Sequence, residues 1–346
     1  MQSYATGAAT GGDDSAWVGG LVGDNAGAIL QSYATGAAHA GLNGGGGFVA
    51  SVGGLVGENE DGGAIAESYS TGAVSSSDPA AAVGGFLGNN DDTISSDVDV
   101  NYFDTQTSGT ASGRGAGNPV DGVTGETTAQ LQGTLPAGFD STVWGTGAGL
   151  YPYFLWRYPA TPEAITGVAY SDASVTPLAS GSAGAVNVSA LVDGTGVGGA
   201  TTGANGYYYI LVSHGTLAGT QQVLTYLDGA SVAANTYVDS PAGNVTADLY
   251  GNYLRLLSRA GTSSAMFGGV TAAIGGNSGS DFLFGGGGLM PGTNLAIQSS
   301  NGGGLVLDDL PDLSSASLVL DAFRSGHAKR GDRRREPGSA GCGRQL

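Results

Sequence analysis

Short clusters of apolar residues alternate along most of the chain with Gly, Asn, Asp and Ser, a pattern that predicts many short β-strands joined by tight turns. The clusters also repeat. Val18-Gly19-Gly20-Leu21-Val22-Gly23 returns as Val52–Gly57 and, with Phe86 and Leu87 at its centre, as Val83–Gly88. A second run, Ser32-Tyr33-Ala34-Thr35-Gly36, matches Ser68–Gly72 and Ser3–Gly7. The first run recurs after 34 and 31 residues and the second after 29 and 36. An Ile follows each central Leu or Phe by 8, 10 and 8 residues (Ile29, Ile65, Ile94). The two extra residues of the middle copy fall in the turn-like stretch Glu58–Gly63, where insertion is tolerated. Four residues beyond each Ile stands Tyr33, Tyr69 or, in the decayed last copy, Val98.

A unit of about thirty residues with a handful of apolar side chains cannot offset the entropy of ordering its own backbone. Stacked units can, because each shares a core with its neighbours and pairs its strands with theirs. The expected fold class is therefore all-β. A parallel β-helix or related β-solenoid is expected over residues 1–100, with Leu21, Ile29, Leu55, Ile65, Phe86 and Ile94 in its core and paired glycines at its corners.

The V-G-G-L-V-G run, the following Asn, Gly and Ile, and the S-Y-A-T-G run together resemble the GLUG-motif repeats of large bacterial exoproteins, including filamentous haemagglutinin-type adhesins. The resemblance covers about residues 1–100 and implies export across the outer membrane into a long surface filament. Residues 101–160 are similar to the segment that often follows the last such repeat. It comprises Asn101–Gly109, the weak helix candidate Thr127–Gln132, Phe139–Gly145 and Tyr151–Trp156, and holds two of the three tryptophans. Its simplest role is an aromatic cap over an open end of the repeats; stacking on sugar rings is the alternative.

Beyond the linker candidate Pro159–Pro162 the pattern changes to longer alternating runs, Ile165–Tyr170, Val186–Val192, Tyr207–Ile210 and Val223–Leu227. Asp193-Gly194 supplies a turn and Asn205-Gly206 reads as a hairpin turn. This stretch, about 163–230 within a unit placed at 161–244, resembles the small β-sandwiches called carboxypeptidase regulatory-like modules. Residues 245–323 read as a degenerate β-repeat stalk: Val245–Leu257 is apolar, and Leu295–Ile297, Leu305–Leu307 and Leu318–Leu320 alternate with Gly-rich or Asp-rich turns.

Charge separates the end of the chain from the rest. Residues 1–323 carry −23 and residues 324–346 carry +5, which gives the net −18. So acidic a body repels nucleic acid and anionic membranes. The tail, with Arg333-Arg334-Arg335 and the lone Cys342, is expected to be disordered; a shifted reading frame is the preferred origin and a basic interaction tail the alternative. No apolar stretch approaches the roughly 20 residues that span a bilayer. The opening Met1-Gln2-Ser3-Tyr4 carries no export signal and begins in the second half of a repeat, so Met1 is expected not to be the true start and the exposed strand edges are expected to drive self-association.

No reaction centre assembles from the sequence, and no catalytic, cofactor-binding or metal residue is assigned. His39, His214 and His327 lie apart and read as solvated loop histidines. Gly276-Asn277-Ser278-Gly279 departs from a nucleophile elbow at Ser280. Gly285–Gly288 lacks a phosphate-cradle lysine and reads as a linker. Acidic groups recur at unit edges: Asp13-Asp14, Glu58/Glu60/Asp61, Asp91-Asp92 and Asp97/Asp99. Solvated edges that resist aggregation are favoured for them, ahead of weak calcium binding and of paired carboxylates for glycoside cleavage. The expected function is thus a non-catalytic, adhesive or structural segment of a secreted bacterial surface protein. Its partners would be an unidentified receptor or glycan and the export machinery of the parent protein, with no nucleic acid. A carbohydrate-active β-helix enzyme is the rival.

Overall fold

Strands dominate the computed structural model, which describes residues 2–12, 17–42, 49–60, 62–91, 98–181, 184–258, 262–299, 310–311, 313 and 316–322. The chain is all-β; its described helices are Thr105–Ser108, Thr128–Leu131 and Ser263–Ile274.

In the first third of the chain, strands pair in parallel with their counterparts one repeat away, in five separate sheets. One carries Tyr4 opposite Tyr33, Tyr33 opposite Tyr69 and Tyr69 opposite Tyr102. A second aligns Val18, Val52 and Val83, and a third Val22, Val56, Leu87 and Arg114. The last two align Ala9, Ala38 and Val74 and Ile29, Ile65 and Val98. Ile29, Leu55, Ile65 and Phe86 gather in one buried cluster with Ala34 and Phe103, and half-buried Leu21 packs against it. Ile94 lies outside the described residues.

The last repeat differs from its expected alignment. Val98 stands opposite Ile65, not Tyr69, and the tyrosine position belongs to Tyr102. Val98 follows Asn90 by eight positions where Ile65 follows Asn59 by six, and the register resumes at Val98. Asn101 helps to fix that register. Ser32 Oγ accepts from Ser3 N at 3.2 Å and Ser68 Oγ from Ser32 N at 3.0 Å. Asn101 Oδ1 takes the same place for Ser68 N at 3.1 Å, while its amide donates to the Ile65 carbonyl. The ladders also run past residue 100: Asn101–Asp104, Arg114–Gly117 and Val123–Glu126 add further rungs.

A buried asparagine row binds the repeats from within. Asn25 Nδ2 donates to Asn59 Oδ1 at 2.8 Å, and Asn59 Nδ2 donates to Asn90 Oδ1 at 3.0 Å. Each amide serves as donor and acceptor, so a polar row is buried without unmet hydrogen bonds. The paired glycines are required by close approach: a Cβ on Gly53 would collide with the Val56 carbonyl, and one on Gly85 with the Phe103 ring.

The aromatic segment occupies a different place from the end cap expected of it. In each Ser-Tyr-Ala strand alternation turns Tyr outward, while Ala34 faces the core. The outward tyrosines stack, with ring centroids 5.3 Å apart for Tyr4–Tyr33 and 5.2 Å for Tyr33–Tyr69. The antiparallel pair Trp144–Gly147 and Leu150–Phe154 lies along this row. Phe154 reaches Tyr4 and Tyr33, Trp144 reaches Tyr33 and Tyr69, and Phe139 reaches Tyr69 and Tyr102. It covers the flank of the stack because that flank presents the apolar surface. Thr128–Leu131 carries a complete capping box between Thr127 and Gln130.

From residue 163 the strands form two facing sheets. Glu163–Tyr170 pairs antiparallel with Tyr207–Val212 and parallel with Val245–Thr246 and Leu249–Tyr250. The other sheet has seven strands and runs from Thr195–Thr201 through Asn187–Val192, Gln222–Asp228 and Asn235–Asp239 to Tyr253–Ser258, Asn294–Ser299 and Leu318–Ala322. Ile165, Tyr208 and Ile210 of one meet Val188, Val223 and Leu227 of the other in a shared core. Asn235–Asp239 pairs directly with Tyr253–Ser258, so the boundary expected at 244/245 does not separate two sheets. Leu295 pairs with Leu318 in the same sheet; Leu305–Leu307 and the tail 324–346 lie outside the described residues. On its far face, Ser263–Ile274 buries Met266 and Val270 against Leu224, Leu254 and Leu256.

The turns divide. Asp193-Gly194, with φ of 48° and 78°, closes a two-residue hairpin. Asn205-Gly206 does not close the hairpin expected of it: it passes the chain from the seven-stranded sheet to its partner. Gly285–Gly288 is a hairpin and not a linker, Phe284 pairing with Leu289 around Gly286 and Gly287 at positive φ.

Candidate functional site

The tyrosine row, the aromatic pair and the strands Thr195–Thr201 and Tyr207–Val212 enclose a cleft of about 220 Å³. Tyr4, Tyr33 and Tyr69 form one wall, with Thr6 and Thr35 beside them; Tyr151, Pro152, Arg157 and Tyr158 form another, and Val197–Gly199 and Tyr209–Leu211 complete it. The wall tyrosines arise from the repeat itself, one per rung. Arg157 is set by a turn in which its own amide and that of Tyr158 both donate to the Phe154 carbonyl.

The Arg157 guanidinium lies 4.6 Å from the Tyr4 ring centre and 5.3 Å from that of Tyr158, and its Nη1 contacts the Tyr4 hydroxyl. A hydrogen bond with Tyr158 raises its already high pKa, so it is a permanent cation. Among the described residues no carboxylate pairs with it; the described ion pair is Arg255–Asp248. Burial pushes the phenols of Tyr33, Tyr69, Tyr151 and Tyr209 above their ordinary range, so they stay neutral; the Tyr69 hydroxyl donates to the Pro152 carbonyl at 2.6 Å. The buried Tyr209 hydroxyl has no hydrogen-bond partner in the protein. Next to the cleft, Trp156 is 58% exposed and stacks on Phe154 at 5.5 Å.

Below the cleft, buried Asp104 ties the last tyrosine strand to the aromatic segment. Its Oδ1 accepts from the Gln106 and Thr107 amides, and its Oδ2 from Thr128 Oγ1 at 2.7 Å and Tyr151 OH at 2.6 Å. Neither Asp104 nor Arg157 is marked by repetition, and sequence reasoning passed over both. The aromatic-rich composition of 139–156 was the available signal, and it located one wall of the cleft without its geometry.

Among the described acidic groups, Glu58 stands beside Asp24 and Asp91, with Asn89 donating to both Glu58 and Asp91. Glu58 is buried, accepts from Asn89 at 2.6 Å, and is raised above the usual carboxylate range by burial, with Asp91 and Asp24 adding to the effect. Asp24, Glu60, Asp91 and Asp99 are exposed, while Asp13, Asp14, Asp61, Asp92 and Asp97 lie outside the described residues. Elsewhere Asp239 and Asp248 share a cavity of about 460 Å³ with Arg255. Asp248 accepts from the Val168 amide at 2.9 Å and faces Arg255 at 3.8 Å, and Asp239 accepts from Ser240 at 2.8 Å, so both are engaged structurally.

His39 lies between Ser75 and Ser77, His214 meets the Thr161 carbonyl, and His327 is outside the described residues. Asn277 spends its amide on the carbonyls of Gly194 and Ile274, closing the end of the helix Ser263–Ile274. Comparison with family models, curated proteins and solved structures finds no match.

Proposed function

We propose that the chain is a non-catalytic stalk and adhesive segment of a large bacterial surface protein, and that residues 1–100 are coils of a β-solenoid of the GLUG-repeat kind, continued by the parallel rungs as far as residue 126. The observation that carries this reading is register: up to residue 104, residues 29 to 36 positions apart stand side by side in parallel, with Ser-Tyr recurring from rung to rung, and the last rungs follow at 27 and 22 positions. A structure that grows by adding equal coils provides length, which is what a surface filament needs. The two facing sheets beyond residue 163 would act as a carboxypeptidase regulatory-like spacer, and a receptor or glycan on another surface as the partner.

The rival is a polysaccharide-cleaving enzyme, for which Asp239 and Asp248 offer the candidate carboxylate pair. Incubation of the purified chain with a panel of acidic and neutral polysaccharides distinguishes the two. The stalk reading expects no new reducing ends and retention of the chain on cell surfaces. Sustained release of reducing ends, abolished by Asp248→Asn, would replace it with the enzyme.

A further inference from the structure

We propose that the tyrosine-lined cleft binds an acidic saccharide, with Arg157 taking the carboxylate and Trp156 the apolar face of an adjoining sugar ring. This deepens the adhesive reading and rests on it for its biological setting, but the chemistry stands on three observations.

The first is a cation without a counter-ion. In a protein of net charge −18, Arg157 has no carboxylate partner among the described residues and is held between two phenol rings. Arg157 is exposed, so the N–H groups not engaged by the Tyr4 and Tyr158 hydroxyls remain as donors for a carboxylate. Beyond about 8 Å, physiological salt screens the repulsion from the rest of the acidic surface.

The second is the wall. Tyrosine and threonine hydroxyls repeat along the cleft at the interval of one rung, and the buried phenols remain neutral. The Tyr69 and Tyr151 hydroxyls are spent on the Pro152 carbonyl and on Asp104, so it is to the remaining hydroxyls of the row that a polymer of hydroxylated rings offers partners. Tyr209 lines the cleft, and its hydroxyl is buried without a side-chain partner.

The third is Trp156. An indole 58% exposed beside Tyr4, at 6.5 Å, costs solvation unless something covers it, and the C–H face of a sugar ring is a flat apolar surface of matching size.

Calorimetry on the full chain with a short oligogalacturonate, and with a neutral maltooligosaccharide of equal length, tests the assignment. The uronate is expected to bind, to change tryptophan fluorescence, and to weaken as salt rises; the neutral sugar is expected to bind at least tenfold more weakly. Arg157→Gln and Trp156→Ala, both at exposed positions, should each lower uronate affinity about tenfold or more while lowering the melting temperature only slightly, since each gives up ring contacts with Tyr4. Tyr209→Phe should lower affinity while leaving the fold at least as stable, since it removes an unmet buried hydroxyl. Absence of uronate binding, equal binding of the neutral sugar, or full affinity in both exposed variants would overturn the proposal. None of these results depends on export or on filament length, so the stalk reading would survive them.

Discussion

Leu55 is fully buried among Ile29, Ile65 and Phe86, contacts drawn from three repeats. Leu55→Asp should cost about 3–5 kcal/mol, since it removes apolar contacts and buries an unpaired charge; denaturant melts read the loss directly. Glu58 tests the same core through protons. Its carboxyl is raised in the folded protein, so across the interval from the ordinary glutamate range near pH 4.3 up to its folded value the folded state holds more proton than the unfolded. Stability must then fall as pH rises through that interval and stay lowered above it. Glu58→Gln should therefore be more stable than the parent at pH 7 and equal to it at pH 4, a difference that urea titrations at the two values measure. Leu55 was legible in the sequence because its neighbours repeat. The burial of Glu58 was not, because the same acidic stretch also contains exposed Glu60.

At the scale of elements, recurrence revealed which strands pair but not which face each residue takes. Nothing in the S-Y-A-T-G run itself marks the face its tyrosine takes. Alternation places it outside, where the Trp144–Phe154 pair covers it. Trp144 is 2% exposed and touches Tyr33, Tyr69, Phe139 and Phe154. Trp144→Ala should cost about 3–5 kcal/mol and let Tyr33 and Tyr69 titrate at lower pH, as ultraviolet difference spectra would record. The helix Ser263–Ile274 escaped notice for a similar reason. Gly268-Gly269 argue against a helix, yet a side chain on Gly269 would collide with the Tyr237 hydroxyl, so packing on the sheet selects a residue that local propensity disfavours.

Across the whole molecule, the repeats and the facing sheets are joined by more than the connecting chain. Thr201 Oγ1 accepts from the Ala37 amide at 2.9 Å, the Thr107 carbonyl accepts from Ala204 at 2.7 Å, and Gln132 donates to the Tyr207 hydroxyl. Those contacts create the cleft, and they link residues up to 164 positions apart, beyond the reach of any local pattern. All of this depends on the repeats pairing in register. The row Gln2, Gln31 and Glu67 reports that register from the surface, with side chains bonded at 3.0 and 3.2 Å. Nitroxide labels on cysteines placed at positions 31 and 67, with Cys342 replaced by Ser, should show strong dipolar broadening from a separation of about one strand spacing, roughly 5 Å between backbones. Labels at 2 and 67 should be about twice as far apart. Separations beyond about 20 Å for the first pair, in a chain that melts like the parent, would contradict the stacked repeats on which the account rests.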